Sequence, residues 1–111
     1  MSFDIQFSNR FKKSAKKLAK KYPSLKHDLE KLGKQLSNNP NLGTPLGKNL
    51  YKIRISITGK KRGKSGGARV ITCVIFKSKT VLLADIYDKK RFDTIDENQI
   101  LQNLIQEGFG L

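Results

Sequence analysis

Lys52 and Arg54 stand two residues apart in Leu50-Tyr51-Lys52-Ile53-Arg54-Ile55, and Arg69 heads the apolar run Val70-Ile71-Thr72-Cys73-Val74-Ile75. Residues two apart on a strand point to the same side. Lys52 and Arg54 therefore offer paired cations at a spacing comparable with adjacent phosphates of a nucleic-acid backbone. An arginine in an apolar strand needs an acidic or phosphate partner, because a buried charge is costly alone. Asp85 is the nearest candidate carboxylate, so an internal ion pair stands as the alternative to anion binding. Between the two strands lies Gly59-Lys60-Lys61-Arg62-Gly63-Lys64-Ser65-Gly66-Gly67. Its glycines let backbone N–H groups approach an anion beside the side chains of Lys60, Lys61, Arg62 and Lys64. The plain alternative is a solvated hairpin loop. Lys89, Lys90 and Arg91 form a further basic group after the last strand.

Other chemistries find little support. His27 is the only histidine and lies off its helix's apolar stripe, so it reads as a solvated surface residue. Cys/His metal sites are excluded by count, and a Ser-His-Asp or Cys-His arrangement is unsupported for the same reason. The Gly59–Gly67 segment lacks the spacing of a phosphate-binding loop for nucleotides. The lone Cys73 rules out an intramolecular disulfide and reads as a small buried hydrophobe in a strand interior.

Lys and Arg total 23 against 9 Asp and Glu, a formal charge of +14. Self-repulsion on that scale suits a polyanionic partner. Nucleic acid leads, because neutralised phosphates release condensed counterions; a membrane surface and an acidic protein follow. No apolar run follows Met1, and no stretch approaches the ~18 apolar residues of a membrane span. The expected location is the cytoplasm. A chain of 111 residues, 37% hydrophobic, is the size of a single domain, expected here over 1–111.

The elements that must hold these cations follow from periodicity. Residues 2–7 alternate, with Phe3, Ile5 and Phe7 on one side, as in a half-buried strand. Ser8 or Asn9 can cap a helix whose apolar face is Phe11, Ala15, Leu18, Ala19 and Tyr22. Lys12, Lys13, Lys16, Lys17, Lys20 and Lys21 cover the rest, a face that reads equally as solvated surface or nucleic-acid contact. Pro23 ends it. Ser24 can cap a second helix with the stripe Leu25, Leu29, Leu32 and Leu36, stopped by Asn38-Asn39-Pro40. Residues 38–49 read as an irregular connection. Three strands follow: one from Leu50, one over 68–76 and one over 80–87, with a tight turn at Lys77-Ser78-Lys79. Thr94 and Glu97 fit a capping box for a last helix that Gly108 ends. The predicted order is β-α-α-β-β-β-α. It describes an α+β fold: an N-terminal strand, a helical hairpin, a three-stranded antiparallel meander and a C-terminal helix. The hairpin covers one face of a mainly antiparallel sheet. Lys52 and Arg54 lie on the other, partly free face.

The block from Leu50 to Ile55, the basic glycine-rich loop into Gly66-Gly67-Ala68-Arg69-Val70-Ile71, and Leu82-Leu83-Ala84-Asp85-Ile86-Tyr87-Asp88-Lys89-Lys90 together resemble the RelE/ParE superfamily, toxins of type II toxin–antitoxin systems. The nearest likeness is to HigB-type messenger-RNA interferases, over about residues 40–100. The resemblance implies a RelE-like fold and a ribonuclease that cuts messenger RNA in the ribosomal A site. It implies a cognate antitoxin as protein partner, with acidic and apolar surface, and no metal or cofactor. Lys52 and Arg54 match the family's basic strand pair, with Arg for Lys at the second position. Arg69 matches the sheet arginine, and Lys90 falls near a second arginine, beside Arg91. The family's tyrosine, expected near residue 96, has no counterpart in Thr94-Ile95-Asp96-Glu97. Tyr87 and Asp88 are the fallback acid or base, and Lys52 is a candidate for exchanging a proton. Two other readings remain open: a ParE-like gyrase inhibitor, and a non-catalytic RNA- or ribosome-binding protein.

Overall fold

The computed structural model describes residues 2–57, 67–88 and 96–111. Its elements are β1 (Asp4–Phe7), α1 (Asn9–Lys21), α2 (Leu25–Asn38), β2 (Thr44–Gly47), β3 (Leu50–Ile55), β4 (Ala68–Ile75), β5 (Thr80–Asp88) and α3 (Glu97–Gln106). The strands form one five-stranded sheet in the order β1-β5-β4-β3-β2. The α+β reading holds, with two corrections. The sheet is mixed, because β1 runs parallel to β5, Asp4 opposite Thr80 through Phe7 opposite Leu83. The connection read as irregular contains β2, which pairs antiparallel with β3. Lys48 and Asn49, at φ 56° and 63°, form the two-residue turn between them. Both φ values are positive, as the hairpin turn matched to strand twist requires, but neither residue is the glycine that would signal it.

Helix starts and stops follow local chemistry. Ser8 is wholly buried and caps α1: its Oγ accepts the Phe11 N–H at 3.0 Å and donates to the Ala84 carbonyl at 2.9 Å. One hydroxyl thus closes a helix terminus and ties it to β5. Ser24 occupies the N-cap position before α2, as expected, but makes no side-chain capping bond. At α3 the cap is Asp96, whose carboxylate accepts the Gln99 N–H at 3.2 Å, and not the expected Thr94, which lies outside the described residues. At the other end of α3, Gly108 (φ 97°) donates to the Ile105 carbonyl and Phe109 to that of Leu104. This left-handed glycine closure leaves Phe109 packed in the cluster that holds Leu104. Glu107 then reaches α1, accepting the Asn9 N–H at 2.6 Å. A carboxylate at a helix N-terminus suits the dipole.

The sheet is covered on both faces. The helical hairpin packs Phe11, Leu25, Leu32 and Leu36 against Ile53, Val70, Val74, Val81, Leu83 and Ile86. The opposite face carries Leu50, Ile71, Cys73, Leu82 and Ala84, covered by Leu104 of α3. Central β4 is buried on both sides, which explains its nearly continuous apolar sequence. Phe7, expected inward, is 45% exposed and stacks on Phe11 at 5.6 Å between centroids, because β1 is an edge strand that ends there. Among the described residues, no helix is long and apolar enough to cross a membrane.

One irregularity reorganises β5. Ile71 pairs with Asp85 but Thr72 with Leu83, so Ala84 is an extra residue on β5. A bulge of this kind reverses the alternation beyond it. Strict alternation from Val81 and Leu83 would send Tyr87 to the hairpin face. Instead Ile86 joins the hairpin-side cluster and Tyr87 packs with the α3-side one.

Gly67 leads into β4 where a Cβ would fall 2.0 Å from the Ile55 carbonyl oxygen. Gly67→Ala is expected to lower stability by about 1–3 kcal/mol, the usual cost of overpacking, read as a reduced urea midpoint. An unchanged midpoint would mean that the two strands separate here without cost. Cys73 is buried, which pushes its thiol up to about 11. The thiol stays protonated at pH 8, so alkylation in the native protein should be about 100-fold slower than in urea; equal rates would contradict the burial.

Candidate nucleic-acid interface

The register of three adjacent strands brings cations together. Arg54 on β3 lies directly opposite Arg69 on β4, and Arg69 lies directly opposite Tyr87 on β5. Lys52 precedes Arg54 by one pleat on the same face. Arg54, Arg69 and Tyr87 thus form a row across the sheet, perpendicular to the strands, on the face that α3 partly covers. The bulge at Ala84 puts Tyr87 in that row.

Arg69 is 5% exposed, and its Nη1 is sealed from solvent with no hydrogen-bond partner among the described residues. The expected internal partner does not supply one. Asp85 pairs with Arg10, whose Nε lies 3.2 Å from Oδ2, and accepts Ser14 Oγ at 3.2 Å. Both partners lie on α1, across the sheet from Arg69. The bulge that turns Tyr87 towards Arg69 leaves Asp85 with the helical hairpin. A buried ion without a counter-charge costs several kcal/mol even after relaxation. Arg54 opposite adds like-charge repulsion, though its exposure lets water screen it.

Lys52, Arg54 and Arg69 all line one cleft of about 640 Å³. Its other walls are Leu32 and Gln35 of α2, the segment 42–44, and Ile53 and Ile55. The cleft opens where β2 stops: the β2–β3 pairing begins at Thr44 opposite Lys52, and the outer edge of β3 beyond it carries no strand among the described residues. Gly43, at φ 100°, packs so close that a Cβ would meet the Lys52 carbonyl oxygen at 2.6 Å. The site is therefore a concave, cationic opening at a sheet edge, with one guanidinium partly withdrawn from water. Such a place favours an anion whose oxygens replace lost hydration. Tyr87, half-buried, brings a phenolic hydroxyl to the β5 end of the row.

Lys60, Lys61, Arg62, Lys64, Lys89, Lys90 and Arg91 lie outside the described residues, although both segments leave from this end of the sheet. His27 is exposed on α2, away from the cleft. Tyr87 stood only as a fallback for the tyrosine missing near residue 96, and period-two alternation gives no warning of the bulge that turns it towards Arg69.

Because the Arg69 charge is uncompensated within the described protein, Arg69→Met is expected to raise stability by about 1–4 kcal/mol, as when buried ions give way to apolar side chains of similar volume. The measurement is urea denaturation with an unchanged m-value. A lower midpoint would reveal an internal partner for the guanidinium.

No protein-family model matches the chain, and no curated protein matches it in sequence. Among solved structures, it is similar to a double arginine-to-alanine mutant of the E. coli toxin RelE in the free state, with a TM-score of 0.63 and 17% sequence identity. The match covers 98% of this chain and 100% of that one. The chain therefore has a RelE-like α+β fold.

Proposed function

We propose that this protein is the toxin of a toxin–antitoxin pair, a single-domain cytoplasmic endoribonuclease that cuts messenger RNA in the ribosomal A site. The observation that carries the reading is Arg69: buried, its Nη1 without a hydrogen-bond partner among the described residues, and lining one cleft with Lys52 and Arg54. Stability alone gives no reason to keep a guanidinium there; a bound phosphate does.

RNA supplies its own nucleophile. The 2′-oxygen attacks the adjacent phosphorus, the P–O5′ bond breaks, and the products are a 2′,3′-cyclic phosphate and a 5′-hydroxyl. One proton leaves the 2′-hydroxyl and one reaches the departing 5′-oxygen. Arg69 and Arg54 hold the non-bridging oxygens and stabilise the charge that builds on them, with permanently protonated groups already in place. Lys52 orients the scissile phosphate and exchanges a proton. Tyr87, opposite Arg69, supplies the second proton-transfer group from a strand position. Lys90 and the loop residues Lys60, Lys61, Arg62, Lys64, Lys89 and Arg91 grip the flanking backbone. Without a histidine among these groups, proton transfer is slow, and positioning of the RNA by the ribosome contributes much of the rate. The cognate antitoxin blocks access to this face. Neither metal nor cofactor takes part.

Induced expression should arrest growth and cut transcripts that are being translated. Arg69→Ala should slow cleavage about 10²–10³-fold, the effect of removing one preorganised charge stabiliser, and relieve the arrest. Full toxicity in that variant would overturn the site. Intact RNA on stalled ribosomes would identify a binding protein instead, and accumulation of cleaved gyrase–DNA complexes would redirect the reading to topoisomerase inhibition.

A further inference from the structure

Helix α1 is built against its own interest. Asn9–Lys21 contains no acidic residue, and Lys12–Lys16, Lys13–Lys17, Lys16–Lys20 and Lys17–Lys21 are like-charge pairs one turn apart. Each such pair destabilises a helix. Arg10 and Lys12 also sit in its first turn, where the dipole disfavours cations. The neighbouring carboxylate of Asp85 is engaged by Arg10 and Ser14.

Three of these lysines share a place. Lys13, Lys17 and Lys21 line a cleft of about 550 Å³ between α1 and the end of β5, where three cations face Tyr87 and the single carboxylate of Asp88. Tyr87 also ends the cross-strand row that contains Arg69. It therefore belongs to both surfaces, and the β5 edge beyond the β1 pairing separates them. Successive lysines rise about 6 Å along the helix axis, comparable with the separation of phosphates along an RNA strand.

We propose that the Lys13–Lys17–Lys21 flank of α1 is a second RNA-backbone surface, distinct from the Lys52–Arg54–Arg69 cleft and continuous with it around Tyr87. The inference rests on the reading that the chain acts on RNA. An acidic protein fits the flank less well, because protein interfaces need a desolvated apolar or aromatic anchor. Leu18, Ile86 and Tyr87 of this cleft are packed into the two core clusters, while the exposed apolar residues Phe76, Ile105 and Leu111 lie along a different groove, between α3 and the β4–β5 turn. Lysine ammonium groups read phosphate position and not base identity, so the surface holds RNA without sequence preference.

The test is the salt dependence of binding to a 2′-O-methylated RNA, which resists cleavage, by fluorescence anisotropy. The variant K13Q/K17Q/K21Q should lower the slope of log K against log salt by about 2, as three single-strand phosphate contacts predict. The control K26Q/K31Q/K34Q removes equal charge from exposed positions of α2 and should change the slope by less than about 1. Thermal melting should show the α1 variant no less stable than wild type, since it relieves repulsion. An unchanged slope in that variant, or an equal loss in the control, overturns the inference and leaves the proposed function intact. Wild-type protein that does not bind the RNA overturns the inference, whereas the proposed function stands or falls on cleavage of transcripts under translation. Equal affinity of the flank for poly-L-glutamate, lost in the same variant, would assign it to an acidic polypeptide and overturn the RNA surface.

Discussion

A charge held inside the sheet is the constraint on which the rest of this architecture turns. Arg69 occupies a strand buried on both faces, with apolar residues along most of its length. Low polarity there strengthens whatever electrostatic interaction the guanidinium makes and penalises its having none. Among the described residues, two features keep the nearest groups from neutralising it. The carboxylate nearest in sequence pattern, Asp85, is held across the sheet by Arg10 and Ser14. The residues directly opposite Arg69 are a second arginine and a tyrosine. A positive potential is thus fixed in the scaffold and does not depend on mobile surface chains.

Hydrogen bonds of long sequence separation hold the scaffold around that charge. Ser8 joins the start of α1 to the bulged part of β5, and Glu107 joins the end of α3 to the start of α1. These two ties brace helices on opposite faces of the sheet against a common point. The strands that carry Lys52, Arg54, Arg69 and Tyr87 are consequently rigid elements, as precise electrostatic sites require.

Much of this was legible in the sequence, for identifiable reasons. The leucine stripe of α2 and the Phe11–Tyr22 face of α1 are strong helical periods, and the alternation through Tyr51, Ile53 and Ile55 is a clear strand. The common face of Lys52 and Arg54 follows from that alternation. Hairpin β2–β3 was not legible, because Lys48 and Asn49 adopt left-handed conformations without a glycine to announce them. The place of Tyr87 was hidden by one unpaired residue, Ala84, which no local composition marks. The same bulge misled the pairing of Asp85. The parallel partner of β1 is a tertiary fact: four short residues carry no information about which edge they join.

That parallel pairing also sets an order of events during synthesis. Among the described residues, β1 has its one sheet neighbour in β5, and Asn9 meets Glu107 beyond α3. The helical hairpin emerges early but cannot bury its apolar face until the sheet exists. Pairings of such high sequence separation form slowly, because loop closure precedes any reward. The Arg54–Arg69–Tyr87 row, contributed entirely by β3, β4 and β5, assembles only after β5 has been added. A chain that has not yet added β5 therefore carries only part of that row, and its cations cannot act as a unit.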